Sequence, residues 1–66
     1  MQLHSKVRVM KRTENGKIVP IVRLGVIIEL GTRFHKVAEL NPATRSINHG
    51  EYFPIVGDRC WIEPLK

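Results

Sequence analysis

Lys6, Arg8, Arg12 and Arg23 are the residues of this chain best suited to chemistry, and the chemistry is anion binding. On a strand, residues two apart share a face, so Lys6, Arg8 and Arg12 fall on one side. A row of such groups neutralises backbone phosphates, and the guanidinium forks take them bidentately. Lys11 and Lys17 extend the row at the turn end. The competing reading is a solvated strand face, where basic residues are ordinary and discourage edge-to-edge aggregation. Trp61 adds a second kind of contact, grouped with Tyr52, Pro54 and Arg59. An exposed ring offers an unpaired base a stacking platform of about 1–3 kcal/mol. Alternatively, Trp61 packs on Pro54 or covers one end of a barrel.

Other reactive side chains form no recognisable constellation. His4, His35 and His49 lie far apart and lack metal-ligand spacing. Asp58, the sole aspartate, sits in a turn signal that accounts for it. Cys60, the sole cysteine, falls on the inward face of a strand and reads as a small core hydrophobe. Glu29 facing His35 reads as a cross-strand surface pair. A phosphate loop, a nucleophile elbow and a metal signature are all missing from the sequence. The expectation is a non-enzymatic chain with no catalytic residues, no metal, no cofactor and no small-molecule substrate.

The elements that must position the basic row are short strands. Turn signals at Glu14–Lys17, Leu30–Thr32, Asn41–Thr44, His49-Gly50 and Val56–Asp58 separate runs rich in Val, Ile, Phe, Tyr and Trp. Spacing of about 8–12 residues between such signals points to a barrel or sandwich. Asn15-Gly16 suits a two-residue type I′ turn, which pairs Val9 with Val22 and Val7 with Leu24. Leu3, Val7, Val9, Val22 and Leu24 then face the core, and Arg8 stands directly opposite Arg23. Like charges so opposed are destabilising unless something neutralises them, which makes this pair the sharpest functional hint. Pro20 requires an edge or a bulge, and Gly25 marks a bend into Val26–Leu30.

A second hairpin is expected around Gly57-Asp58, with Phe53 and Ile55 opposite Ile62 and Cys60 on the inner face. In that register Pro54 lies opposite Trp61 on the outer face. The middle hairpin has two registers, pairing Ile28 with His35 or Leu30 with Phe34. One helical turn can begin near Pro42.

Sixty-six residues bound the answer to a single small β domain spanning residues 1–66, with a small core. A lone cysteine leaves no internal disulfide, so self-association or a partner is the remaining external support. The longest apolar stretches, such as Val26–Ile28, are too short to span a membrane, and a cytoplasmic location is expected. Net charge is +5, and it is unevenly placed. Residues 1–36 carry eight Lys/Arg against two Glu, a balance of +6, while residues 37–66 carry three against four acids, a balance of −1. A local positive field attracts polyanions and speeds their encounter.

The run Gly16–Gly31, with its alternating apolar residues between glycines, resembles the opening strands of the ribosomal-protein type of RNA-binding OB module. Val56-Gly57-Asp58-Arg59-Cys60-Trp61-Ile62 is similar to that family's entry to a late strand, and valine-glycine-aspartate also precedes strands in SH3-like barrels. Leu24 and Val26 stand where that family places aromatic RNA-stacking residues. The resemblance implies a small barrel.

The expected fold is therefore all-β, a small five- or six-stranded antiparallel barrel or bent sheet of SH3-like or OB-like type. The expected function is nucleic-acid binding, DNA or RNA, through Lys6, Arg8, Arg12, Arg23 and Trp61. The alternative is a protein-interaction module, an accessory subunit or an inhibitor of the kind mobile elements encode, or one self-associating through an edge strand as a homo-oligomer.

Overall fold

A computed structural model describes residues 1–65. Alternation of β-branched and polar residues produces six strands: β1 (Lys6–Arg12), β2 (Ile18–Glu29), β3 (Phe34–Asn41), β4 (Ser46–Ile47), β5 (Glu51–Pro54) and β6 (Cys60–Pro64). All pairings are antiparallel, in the order β4-β3-β2-β1-β6, and β5 shares the outer edge of β3 with β4. Strands β5 and β6 approach at the open seam, where the Ile62 N–H donates to the Ile55 carbonyl at 3.3 Å. Among the described residues no ladder joins them. The domain is a strongly bent antiparallel sheet that stops short of a closed barrel.

Val7, Val9, Val22, Ile27, Val37 and Ile62 fill the concave side, with Phe53 and Cys60 packed against them. Leu3 and Leu24, expected in this set, lie outside it: Leu3 is exposed and Leu24 only half-buried. Leu3 precedes β1, in a turn where His4 takes a positive φ of 70°, and bulges in the β1–β2 ladder displace Leu24. The first turn has three loop residues, not two: Thr13 N–H donates to the Lys17 carbonyl, and only Gly16 takes positive φ, at 80°. Arg12 thus pairs with Ile18 and Met10 with Pro20. An extra residue, Ile21, restores the expected Val9–Val22 pair; of the edge or bulge expected at Pro20 both are found, since β3 pairs with β2 only from Gly25 onward. A second shift pairs Val7 with Gly25, leaving Arg8 opposite the two-residue bulge Arg23-Leu24. The direct Arg8–Arg23 opposition is not formed.

Gly25 lies where the sheet folds over. It pairs with Val7 on one side and Glu39 on the other, so β2 serves two ladders. Val37 Cγ1 would stand 2.6 Å from a β-carbon added there, which is why glycine occupies the bend. The β2–β3 ladder keeps the register of the longer-loop alternative, pairing Ile27 with Val37, and shifts by one residue at Glu29–Lys36. Past β3, the Arg45 N–H donates to the Asn41 carbonyl at 2.7 Å, closing a single helical turn over Pro42–Thr44. The expected β5–β6 hairpin is replaced by non-local pairing, β5 with β3 and β6 with β1. Gly57 does not adopt the positive φ that a type II′ turn needs. Phe53, Cys60 and Ile62 still face inward, but Pro54 pairs with Phe34, and Trp61 with Met10.

Candidate nucleic-acid interface

Because Val7 and Val9 turn inward, β1 presents Lys6, Arg8, Met10 and Arg12 outward. Pairing with β6 sets Glu63 opposite Arg8 and Trp61 opposite Met10. Arg8 Nε donates to Glu63 Oε1 at 3.0 Å, and Trp61 Nε1 donates to Glu63 Oε2 at 2.9 Å. The Arg12 guanidinium carbon lies 5.9 Å from the Trp61 ring centroid, within cation–π range. Arg8, Glu63, Trp61 and Arg12 therefore form one continuous chain of contacts on the outer face. The Trp61 N–H, and after it Arg8, hold the Glu63 carboxyl below its ordinary range against the opposing effect of partial desolvation. Arg8 is thus neutralised from within the chain, by Glu63, and an external anion is not needed for that purpose.

At the hairpin tip three cationic residues border one hollow. Lys11, Arg12 and Arg59 line a shallow concavity of about 740 Å³ together with Thr13, Glu14, Asn15 and Gly16. The Arg12 N–H donates to the Arg59 carbonyl at 2.8 Å, pinning the β5–β6 connection against the end of β1. This concavity is a product of β1–β6 pairing. Of the residues singled out from sequence, Arg8, Arg12 and Trp61 are brought together. Lys6 stands at the far end of β1, about 20 Å from Arg12 at strand rise, and Arg23 is exposed in the bulge of β2. Arg59 and Lys11 prove to be central; their signal in the sequence was proximity to Trp61 and Arg12, without the pairing that unites them.

A second surface lies on the outer face of β3 and β5. Phe34 and Tyr52 are 51% and 57% exposed, and with Gly31, Thr32 and Arg33 they line an open, largely apolar groove. Tyr52 Oη donates to Glu29 Oε2 at 2.9 Å, and Lys36 Nζ lies 5.5 Å from the Tyr52 ring centroid. The bond to Glu29 raises the Tyr52 phenol above its usual value. Phe34 was not legible as a site residue, because its outward direction depends on the undecided register of the middle hairpin. Its buried neighbour His35 accepts the Gly31 N–H at Nδ1, 3.1 Å away, closing the loop that carries Arg33.

Glu29 and His35 thus have separate partners, Tyr52 and Gly31, and Cys60 faces Lys11 across the β1–β6 ladder. Burial raises the Cys60 thiol, with Lys11 acting weakly in the other direction. Among the described residues, no group of three or more His, Cys, Asp or Glu is placed to hold a metal ion. No described helix is long and apolar enough to cross a membrane. Comparison with protein-family models, curated proteins and solved structures finds no match to this chain.

Proposed function

We propose that this domain is a non-enzymatic nucleic-acid-binding module that grips backbone phosphates at the tip of its first hairpin. One observation carries the reading: Lys11, Arg12 and Arg59 border a single concavity, with Glu14 the one acid on its lining, in a chain of net charge +5. Three cations around an open, solvent-accessible hollow suit a flexible polyanion, and each phosphate neutralised releases counterions. Trp61 holds the Arg12 guanidinium from below, which orients its fork at little further entropy loss. Arg23 and Lys6 extend the positive field along the sheet, where they guide approach more than they fix register. Fluorescence anisotropy with labelled single- and double-stranded DNA and RNA at low salt tests the proposal. Arg59→Ala and Lys11→Ala should each weaken binding to all sequences alike. Absence of binding to every one of these probes would end the proposal.

A second reading rests on the free edge of β2. Pairing with β3 begins only at Gly25, so Ile18–Val22 have β1 as their one ladder neighbour among the described residues. Ile18 and Ile21 are exposed there, at 52% and 44%. Strand addition by a second copy or a protein partner would satisfy that edge, although Pro20 removes one donor from it. A complex that survives high salt would favour this reading, since an electrostatic nucleic-acid complex dissociates.

A further inference from the structure

Phe34 and Tyr52 lie on the β3/β5 surface, away from the hairpin-tip concavity, and the phosphate-binding reading leaves them unused. Both rings are more than half exposed on one groove, a costly use of two of the chain's four aromatic residues. Their positions are held firmly. Phe34 pairs with Pro54 and Lys36 with Tyr52, so the two side chains stand on the same face of neighbouring strands. His35, buried between them in sequence, ties the Gly31 loop down and fixes the groove wall. Tyr52 is further held by Glu29, and the groove therefore exists before any ligand arrives.

We infer that the groove is a stacking platform for unpaired bases, and so that the ligand is single-stranded nucleic acid. The charge around it is complementary to that occupant. Arg33 forms part of the groove wall, and Lys36 lies over the Tyr52 ring, so cations stand beside the rings where phosphates of a stacked strand would pass. Glu29 is bonded to the Tyr52 hydroxyl, and Glu51, next to Tyr52 on β5, falls on the opposite face by strand alternation. Every base has a π-face, so two rings and two cations give sequence-tolerant binding. A base pair inside a duplex presents no free face to Phe34. An apolar protein segment would fill the rings but would leave Arg33 and Lys36 without matching charge. This inference rests on the phosphate-binding proposal and adds the class of nucleic acid to it.

The test compares two labelled strands of about twelve nucleotides, within the site sizes such modules occupy. One is oligothymidylate; the other is an abasic deoxyribose-phosphate strand of the same length. The wild-type chain should bind oligothymidylate the more tightly, and an unlabelled duplex should compete poorly. Phe34→Ala should weaken oligothymidylate binding about tenfold and leave the abasic strand unchanged. Tyr52→Phe, which keeps the ring and loses the bond to Glu29, should retain binding, and circular dichroism would verify that both variants are folded. Equal wild-type binding of the two strands, or an unaltered affinity in folded Phe34→Ala, would overturn the stacking platform while leaving the phosphate grip standing. Failure of both strands to bind at low salt would overturn the two together.

Discussion

Gly25→Ala probes the bend on which both surfaces depend. A β-carbon at this position would lie 2.6 Å from Val37 Cγ1, 3.1 Å from Val22 Cγ1 and 3.3 Å from the Ala38 carbonyl oxygen. Val37 and Val22 are themselves core residues, so neither can swing into solvent. Overpacking of this kind costs about 1–3 kcal/mol. Alanine also lowers the entropy of the unfolded chain, which returns about 0.4–1 kcal/mol because Gly25 is not held at positive φ. The net expectation is a loss of about 1–2 kcal/mol. A domain of this size has a total stability of roughly 3–10 kcal/mol, so the loss is large. Equilibrium urea unfolding followed by Trp61 fluorescence should show the midpoint falling by about 1–2 M, taking a slope near 1 kcal/mol/M. Val37→Ala removes the clashing methyl group. The double variant should therefore be more stable than the sum of the two single losses implies, by about 0.5–2 kcal/mol of coupling. A Gly25→Ala chain as stable as wild type, or strict additivity in the cycle, would refute the close packing at the bend.

Three further outcomes follow from the titratable groups. Glu63 has its carboxyl lowered by Trp61 and Arg8, so its contribution to stability is present above the ordinary glutamate range and lost as pH falls through its lowered value; Trp61 fluorescence should report that acid transition, and Glu63→Gln should abolish it. Tyr52 has its phenol raised by Glu29, so that stabilisation is present below the ordinary tyrosine range and lost as pH rises through the raised value. Ultraviolet titration of this single tyrosine should show ionisation at higher pH than in Glu29→Gln. Cys60, raised by burial, should react slowly with a disulfide reagent in the native chain and rapidly in urea.

Much of the sheet was legible in the sequence because strand alternation is a local property. Val7, Val9, Val22 and Ile62 face inward as their parity demands, and Pro20 does bring a bulge. The first-turn register was less secure. Glycine at positive φ serves a three-residue loop as readily as a two-residue one, and the Arg8–Arg23 opposition was lost to a separate bulge at Arg23-Leu24 that no residue type announces. The Val9–Val22 pair survived only because the longer loop and the Ile21 bulge offset each other. The last hairpin shows the other limit. Gly57-Asp58 looks like a local turn, yet Ile62 reaches Val9, more than fifty residues away in sequence, and that long-range pairing has no turn signature. The candidate site inherits both limits. Arg12 and Trp61 could be named from their types, whereas the Arg59–Lys11–Arg12 cluster and the Phe34–Tyr52 groove required the non-local pairings.

Salt dependence of single-strand binding is the most direct measurement of the phosphate grip at the hairpin tip. With Lys11, Arg12 and Arg59 each neutralising one phosphate, log affinity against log salt should fall with a slope of about −2 or steeper. Arg59→Ala should flatten that slope by about 0.7. A slope near zero, or one that Arg59→Ala leaves unchanged, would contradict it.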